Sequence, residues 1–148
     1  MTPVTTAPGV QAVHPARAKR PAARPLFSCK VEAGFPSPAD DYIESALDLN
    51  THLVKNPAST FFVRVSGDSM IGAGIASGDL LVVDRSLTPE SGNVVIAVLD
   101  GELTVKRLWR ESGRVELRAE NPAYAPIRLT GAMELDVWGV VRHVVHSV

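Results

Sequence analysis

The sequence of 148 residues has one cysteine, few aromatic residues and no long apolar run. Cys29 has no partner in the chain, which excludes a disulfide framework and suits a reducing cytoplasm. The longest apolar runs are about six residues, whereas a membrane-spanning helix needs about 20. No apolar stretch of the kind found in secretory signals is present near Met1. Because 45% of the residues are apolar and only 5% are aromatic, we expect a globular protein with an aliphatic core.

The net charge of only −1 conceals an uneven distribution along the chain. Residues 1–33 contain five basic residues and one acidic residue, whereas residues 34–148 contain ten basic and fifteen acidic residues. Five prolines and the absence of a regular period in residues 1–25 predict a flexible arm. The basic arm either contacts the phosphates of a nucleic acid or is simply a solvated tail.

The pattern becomes that of β-strands after Pro57, and the sequence predicts a mostly β domain. The clearest local prediction is a hairpin in which residues 93–99 and 102–109 pair across Asp100-Gly101, a preferred dipeptide for a type I′ turn. The other predicted strands cover residues 60–66, 79–84, 114–119, 126–130 and 135–146. Before these strands, Asp48 or Asn50 is expected to cap a short helix that runs through Lys55.

Two features could carry chemistry, and each also has a simpler interpretation. In Ser66-Gly67-Asp68-Ser69-Met70, a β-run ends in a turn that either presents the Ser69 hydroxyl or is an ordinary turn. Lys106 lies among apolar residues of the second hairpin strand, on the same face as Thr104. A lysine there either protects a sheet edge or is a desolvated amine that can act as a general base.

Together these segments resemble the UmuD proteins within the LexA and UmuD group of self-cleaving serine peptidases. The resemblance extends from about Leu26 to the C-terminus. The nucleophile region of the group is similar to FVRVSGDSMIGAGIASGDLLVVD, and the region of its lysine base is similar to GNVVIAVLDGELTVKRL. Further matching segments are GFPSPADDYIESALDLN, ENPAYAPI and LDVWGVVRHVVH.

The resemblance implies a LexA/signal-peptidase-like β domain at residues 34–148 and a Ser-Lys dyad within it. Ser69 would be the nucleophile, and Lys106 would be the base that accepts its proton. By analogy with the family, the backbone N–H groups of Asp68 and Ser69 would form the oxyanion hole. No cofactor or metal is expected, since no Cys, His and Asp cluster has the spacing of a metal site.

The resemblance also places the substrate in the same chain. Family members cut between a small residue and glycine, and Val31-Glu32-Ala33-Gly34 fits their pattern. Self-cleavage between Ala33 and Gly34 would remove residues 1–33. Tethering raises the effective concentration of the bond, so a weak peptidase can still cut it.

A role in the SOS response is implied by the same resemblance. A RecA filament on single-stranded DNA would stimulate cleavage, and the trimmed homodimer would join a UmuC-type translesion polymerase. Residues 1–33 are too short and too proline-rich for a helix-turn-helix, so we expect no sequence-specific DNA binding. The final apolar strand, residues 137–145, either forms a dimer edge or is internal to the fold.

Three other functions remain open at this point. The chain could be a LexA-like regulator, or a non-enzymatic protein that binds a polymerase and has no DNA-binding domain. It could also be a peptidase that acts on other proteins, like a signal peptidase, although no membrane anchor is expected.

Overall fold

The computed structural model describes residues 10–16, 21–27, 43–131 and 133–148. They form two compact units. The first unit contains the described part of residues 1–16 together with residues 56–148, and the second contains the described part of residues 17–55. No helix within these described ranges is long and apolar enough to cross a membrane.

Both units consist mainly of β-strands, which confirms the predicted fold class. In chain order the strands are β1 (Val10–Pro15), β2 (Ala23–Phe27), β3 (Ile43–Asp48), β4 (Thr60–Val65), β5 (Leu80–Asp84), β6 (Val94–Leu99), β7 (Glu102–Glu111), β8 (Arg114–Arg118), β9 (Ile127–Arg128) and β10 (Leu135–Val145). The helix α1 spans Leu49–Leu53, and two 3₁₀ turns span Pro57–Ser59 and Ile71–Ala73.

The first unit is an antiparallel sheet whose strand order is β1-β4-β5-β10-β6-β7-β8-β9. Two clusters of buried side chains hold it together, and both are aliphatic, as the low aromatic content predicts. The first cluster includes Met70, the last residue of the Ser66–Met70 turn, and Ile75, so both anchor the turn to the core. The second cluster is formed by Val95, Ala97, Leu108, Leu117 and Val140.

The hairpin predicted around Asp100-Gly101 is confirmed. Leu99 pairs with Glu102, so the loop between β6 and β7 has two residues. Asp100 has φ of 48° and Gly101 has φ of 83°, and positive values at both positions define a type I′ turn.

The second unit contains the β2–β3 hairpin and α1. Asp48 is the N-cap of this helix, because its carboxylate accepts a hydrogen bond of 2.9 Å from the Asn50 N–H. The predicted cap is thereby confirmed, whereas the helix ends at Leu53 and not at Lys55.

Residues 1–25 were expected to lack regular structure, and this expectation is wrong for the start of β2 and for the whole of β1. This strand pairs along β4, and its Val10 side chain is only 1% exposed. The sequence pattern missed β1 because an edge strand is selected by the partner that it covers, and Pro15 is tolerated at its end. The predicted division at residue 33 lies outside the described residues and stays a prediction.

The final strand lies between β5 and β6 in the order of the sheet. Residues Val140–Val145 of β10 pair with β5, and residues Leu135–Val140 pair with β6. Because only Val140 is paired on both sides, both interpretations of residues 137–145 stay predictions.

Asp84 is a buried carboxylate that ties the end of β5 to the preceding 3₁₀ turn. It is 4% exposed and accepts hydrogen bonds from Asn56 Nδ2 at 2.6 Å, from Ser59 Oγ at 2.8 Å, and from the N–H and Oγ of Ser86 at 2.8 and 2.7 Å. Burial alone would raise the pKa of Asp84, but these hydrogen bonds outweigh it and lower the pKa from 3.8 to about 2.

We therefore expect Asp84 to stabilise the fold above about pH 5 and to lose this effect as the pH falls toward 2. Asp84→Asn should lower the free energy of unfolding at pH 7 by about 2 kcal/mol, and the deficit should shrink in acid. Urea unfolding from pH 7 to pH 2.5 measures this, with the exposed Asp136→Asn as control. A deficit that does not change with pH would contradict the assignment.

Candidate active site

The turn after β4 presents the Ser69 hydroxyl at the surface of the sheet. Gly67 has φ of 91°, a conformation that favours glycine, and its N–H donates to Ser77 Oγ at 3.2 Å. Behind the turn, the Val65 N–H donates to the Asp79 carbonyl at 3.1 Å. Met70, the residue after Ser69, is buried. Ser69 therefore lies between two anchored residues, Gly67 and Met70.

Lys106 reaches this serine from the middle of β7. Its Nζ lies 3.1 Å from Ser69 Oγ, 3.2 Å from Thr104 Oγ1 and 3.2 Å from the Val105 carbonyl oxygen. The two residues are 37 positions apart in the sequence, so only the folding of the sheet brings them together. Thr104 was not predicted to take part, although its position on the same strand face as Lys106 was a usable signal.

Burial shifts the Lys106 amine toward its neutral form. Burial lowers the pKa of Lys106 below its ordinary value of 10.5, because desolvation disfavours the ammonium. Among the described residues no carboxylate contacts Nζ to offset this effect. A neutral amine has two N–H donors and one lone pair. The Thr104 and Val105 oxygens can accept the two hydrogens, which leaves the lone pair for the Ser69 O–H.

A cleft of about 190 Å³ opens beside the serine and the lysine. It is lined by both apolar and polar side chains, and the polar ones include Ser69 and Lys106. The apolar side chains that line it belong to Val65, Met70, Ile75 and Val105, and the ring of Tyr124 lies at the same cleft.

The structure describes only some of the remaining predicted site residues. The described hydrogen bonds of the turn use neither the Asp68 N–H nor the Ser69 N–H, so the proposed oxyanion hole stays a prediction. Ala33 and Gly34 lie outside the described residues. The Asp68 carboxylate accepts a hydrogen bond from the Tyr124 hydroxyl at 2.5 Å, a contact that the sequence did not predict.

His146 lies beside Asp79, whose carbonyl oxygen accepts the hydrogen bond from the Val65 N–H. Its Nδ1 is 2.6 Å from Oδ1 of the buried Asp79. Within the described ranges, no group of three or more His, Cys, Asp or Glu residues could hold a metal ion.

A serine beside a partly buried lysine at an apolar cleft is a known arrangement of peptidases. The sequence profile of the family described as Peptidase S24-like matches residues 25–142. This chain belongs to the peptidase S24-like family. The match includes both Ser69 and Lys106, and the predicted resemblance to the LexA and UmuD group is thereby confirmed at the level of the family.

Three bacterial proteins are similar to this chain over about two thirds of its length or more. Protein ImpA of Escherichia coli is 49% identical over 124 residues, which cover 83% of this chain and 83% of ImpA. Protein MucA of Escherichia coli is 42% identical over 120 residues, which cover 80% and 82% of the two chains. LexA repressor 1 of Geobacter sulfurreducens is 43% identical over 97 residues, which cover 66% of this chain and 47% of the repressor.

Proposed function

We propose that this S24-family peptidase is an SOS-response protein that cleaves itself between Ala33 and Gly34. Ser69 is the nucleophile, and Lys106 is the general base. The observation that carries the proposal is the hydrogen bond of 3.1 Å between Lys106 Nζ and Ser69 Oγ. It is within the distance that proton transfer from a nucleophile to its base requires.

The proposed reaction forms and then breaks an ester on the serine. Ser69 Oγ attacks the carbonyl carbon of Ala33 while Lys106 Nζ takes the hydroxyl proton. The oxyanion that forms accepts hydrogen bonds from the N–H groups of Asp68 and Ser69. Lys106 then returns the proton to the departing amine of Gly34, and the Ala33–Ser69 ester remains. A water molecule, deprotonated by Lys106, hydrolyses this ester and regenerates the serine.

Thr104 and the Val105 carbonyl orient the base in this mechanism. By accepting the two hydrogens of the neutral amine, their oxygens direct its lone pair toward Ser69. The lowered pKa of Lys106 increases the fraction of amine that is neutral and ready to accept a proton. This arrangement needs neither a histidine nor an aspartate.

The small size of both residues supports Ala33-Gly34 as the bond that is cut. The methyl side chain of Ala33 fits within the cleft of about 190 Å³ beside the dyad. Gly34 adds no side chain after the bond, so the carbonyl of Ala33 stays open to attack.

The proposed biological partners follow from the family. We propose that a RecA filament on single-stranded DNA favours the docked state of the cleavage segment. The cleaved product then acts in the cytoplasm as a homodimer with a UmuC-type translesion polymerase. The similarity to ImpA and MucA over four fifths of the chain supports this role.

Incubation with RecA, single-stranded DNA and ATP, followed by intact-mass analysis, tests this function. We expect a large fragment of 115 residues that begins at Gly34. Gly34→Glu should block its formation, because a charged side chain would be added beside the scissile carbonyl. The exposed Ala58→Glu adds the same side chain away from the bond and should be processed normally.

Two results would contradict the proposal. A fragment that begins at a residue other than Gly34 would refute the bond. A wild-type mass that stays at full length would instead favour a regulator or a polymerase-binding protein without peptidase activity.

A further inference from the structure

The loop of residues 120–124 contacts residues next to both halves of the proposed dyad. On the serine side, Asn121 Nδ2 donates to the Asp68 carbonyl oxygen at 2.9 Å, and the Tyr124 hydroxyl donates to Asp68 Oδ1 at 2.5 Å. The Gly72 N–H donates to the Glu120 carbonyl oxygen at 2.7 Å. These contacts lie immediately before and three residues after Ser69, so they hold the turn on both sides of the nucleophile.

The backbones of Gly72 and Glu120 approach each other so closely that a side chain at position 72 would not fit. A Cβ on Gly72 would lie 2.6 Å from the Glu120 carbonyl oxygen, closer than real contacts allow. Glycine at this position therefore lets the 120–124 loop rest directly on the segment that follows Ser69.

On the lysine side, the same loop is attached to β7. The Glu120 carboxylate forms an ion pair with Nε of Arg107, the residue next to Lys106. The Arg107 Nη1 also donates to the Gly92 carbonyl at 2.6 Å, which fixes the arginine on the strand. Glu120 thus connects the serine turn, through its backbone, with the lysine strand, through its side chain.

The loop is also stiffened from within. The Ala123 N–H donates to Asn121 Oδ1 at 2.9 Å, and the Tyr124 N–H donates to the Asn121 carbonyl at 3.1 Å. Asn121 therefore shapes the loop with its oxygen atoms while its amide nitrogen binds Asp68. A loop ordered in this way can hold the serine turn and the lysine strand at a fixed separation.

We propose that the 120–124 loop is a clasp that sets the separation of Ser69 and Lys106, with Tyr124 and Asn121 as positioning residues that act through Asp68. This inference rests on the proposed peptidase function and assigns a role to ENPAY, which the dyad alone leaves without one. Proton transfer depends steeply on the distance between donor and acceptor.

The clasp keeps its hydrogen bond under the alkaline conditions in which Lys106 becomes neutral. The carboxylate of Asp68 raises the pKa of the Tyr124 phenol above its ordinary value of 10.0. The phenol consequently remains a donor where an ordinary tyrosine would begin to ionise.

The test is a double-mutant cycle with Tyr124→Phe and Asp68→Ala, read as the first-order rate of self-cleavage of the full chain between pH 7 and 10.5. Phenylalanine keeps the ring in the cleft, so the burial of Lys106 and the midpoint of the pH profile should not change. We expect the plateau rate at alkaline pH to fall about tenfold in Tyr124→Phe. The double variant should be no slower than Asp68→Ala, because the same hydrogen bond is already absent.

A conservative variant and a stability measurement separate positioning from general stabilisation. Asp68→Asn keeps an oxygen that can accept from Tyr124 and should retain most of the wild-type rate. Because Tyr124 is 45% exposed, Tyr124→Phe should unfold at nearly the wild-type temperature. A slower rate without a lower unfolding temperature supports the clasp.

The outcomes distinguish this inference from the function on which it rests. A wild type that cleaves at Gly34, together with an equally fast Tyr124→Phe, overturns the clasp and leaves the peptidase intact. A plateau equal to that of the wild type with a shifted midpoint also overturns it, since Tyr124 would then affect only the titration of Lys106. Absence of cleavage in the wild type overturns the peptidase function and the clasp with it.

Discussion

Ser69→Ala is expected to remain at full length, even with RecA filaments present. The substitution removes the oxygen that would form the ester with Ala33, and no other described hydroxyl is within hydrogen-bond reach of Lys106 except that of Thr104. Removing a nucleophile of this kind leaves only the slow hydrolysis by water, so no fragment should form during the experiment.

The fold should tolerate this change. Ser69 lies in a turn and is half-buried, and its replacement by alanine removes one hydroxyl while the anchors Met70 and Ile75 stay in place. The free energy of unfolding should therefore change by less than about 1 kcal/mol.

Intact-mass analysis over time, together with urea unfolding, checks both expectations. Ser147→Ala, which changes an exposed serine near the C-terminus, is the matched control and should be cleaved like the wild type. Normal processing of Ser69→Ala would remove Ser69 from the mechanism.

Cleavage without RecA should accelerate with rising pH and then level off. A free lysine with a pKa of about 10.4 is neutral in roughly one molecule in 2,500 at pH 7. Burial lowers the pKa of Lys106, so the neutral fraction at a given pH is larger than this, and it grows until the pH exceeds the lowered pKa. The rate should follow this fraction because only the neutral amine can accept the Ser69 proton.

Substitutions of Lys106 should remove this dependence on pH. Lys106→Ala has no base, and Lys106→Arg remains protonated throughout the range, so both should lose cleavage at every pH from 7 to 11. Lys106→Met keeps a similar volume without a desolvated charge, so we expect it to be inactive but folded.

The sign of the linked effect on stability provides an independent check. Because the folded state lowers the pKa of Lys106, the unfolded chain binds more protons at neutral pH. The destabilisation caused by burying the charged amine therefore diminishes as the pH rises toward 10.5. The wild type should therefore gain stability relative to Lys106→Met over this range. A flat rate profile, or undiminished alkaline cleavage in Lys106→Ala, would exclude Lys106 as the base.

Local features of the fold could be predicted from the residues alone. Asp100-Gly101 favours positive φ at two successive positions, and this determines the hairpin between β6 and β7. Asp48 caps α1 with its own side chain, a contact between neighbours in the chain. Features of this kind depend on short-range conformational preferences, which a sequence shows directly.

The sequence predicted which residues form the candidate site but not how they are arranged in space. Ser69 and Lys106 are recognisable from their local patterns and from the resemblance to a family. Their separation of 3.1 Å depends on the pairing of β6 with β7 and on the packing of Met70 against the core. Thr104 could have been found, since it lies on the same face of β7 as Lys106.

The long-range contacts were decided only by the tertiary structure. β1 is a strand because β4 has an edge that it covers, and β10 lies between β5 and β6 because it pairs with both. The sequence by itself determined the strands after Pro57, the turn between β6 and β7, and which residues can do chemistry. Which strands become neighbours, and that the 120–124 loop joins the serine turn to the lysine strand, depends on burial and hydrogen bonds between distant residues, whose free energy exists only once the chain has folded.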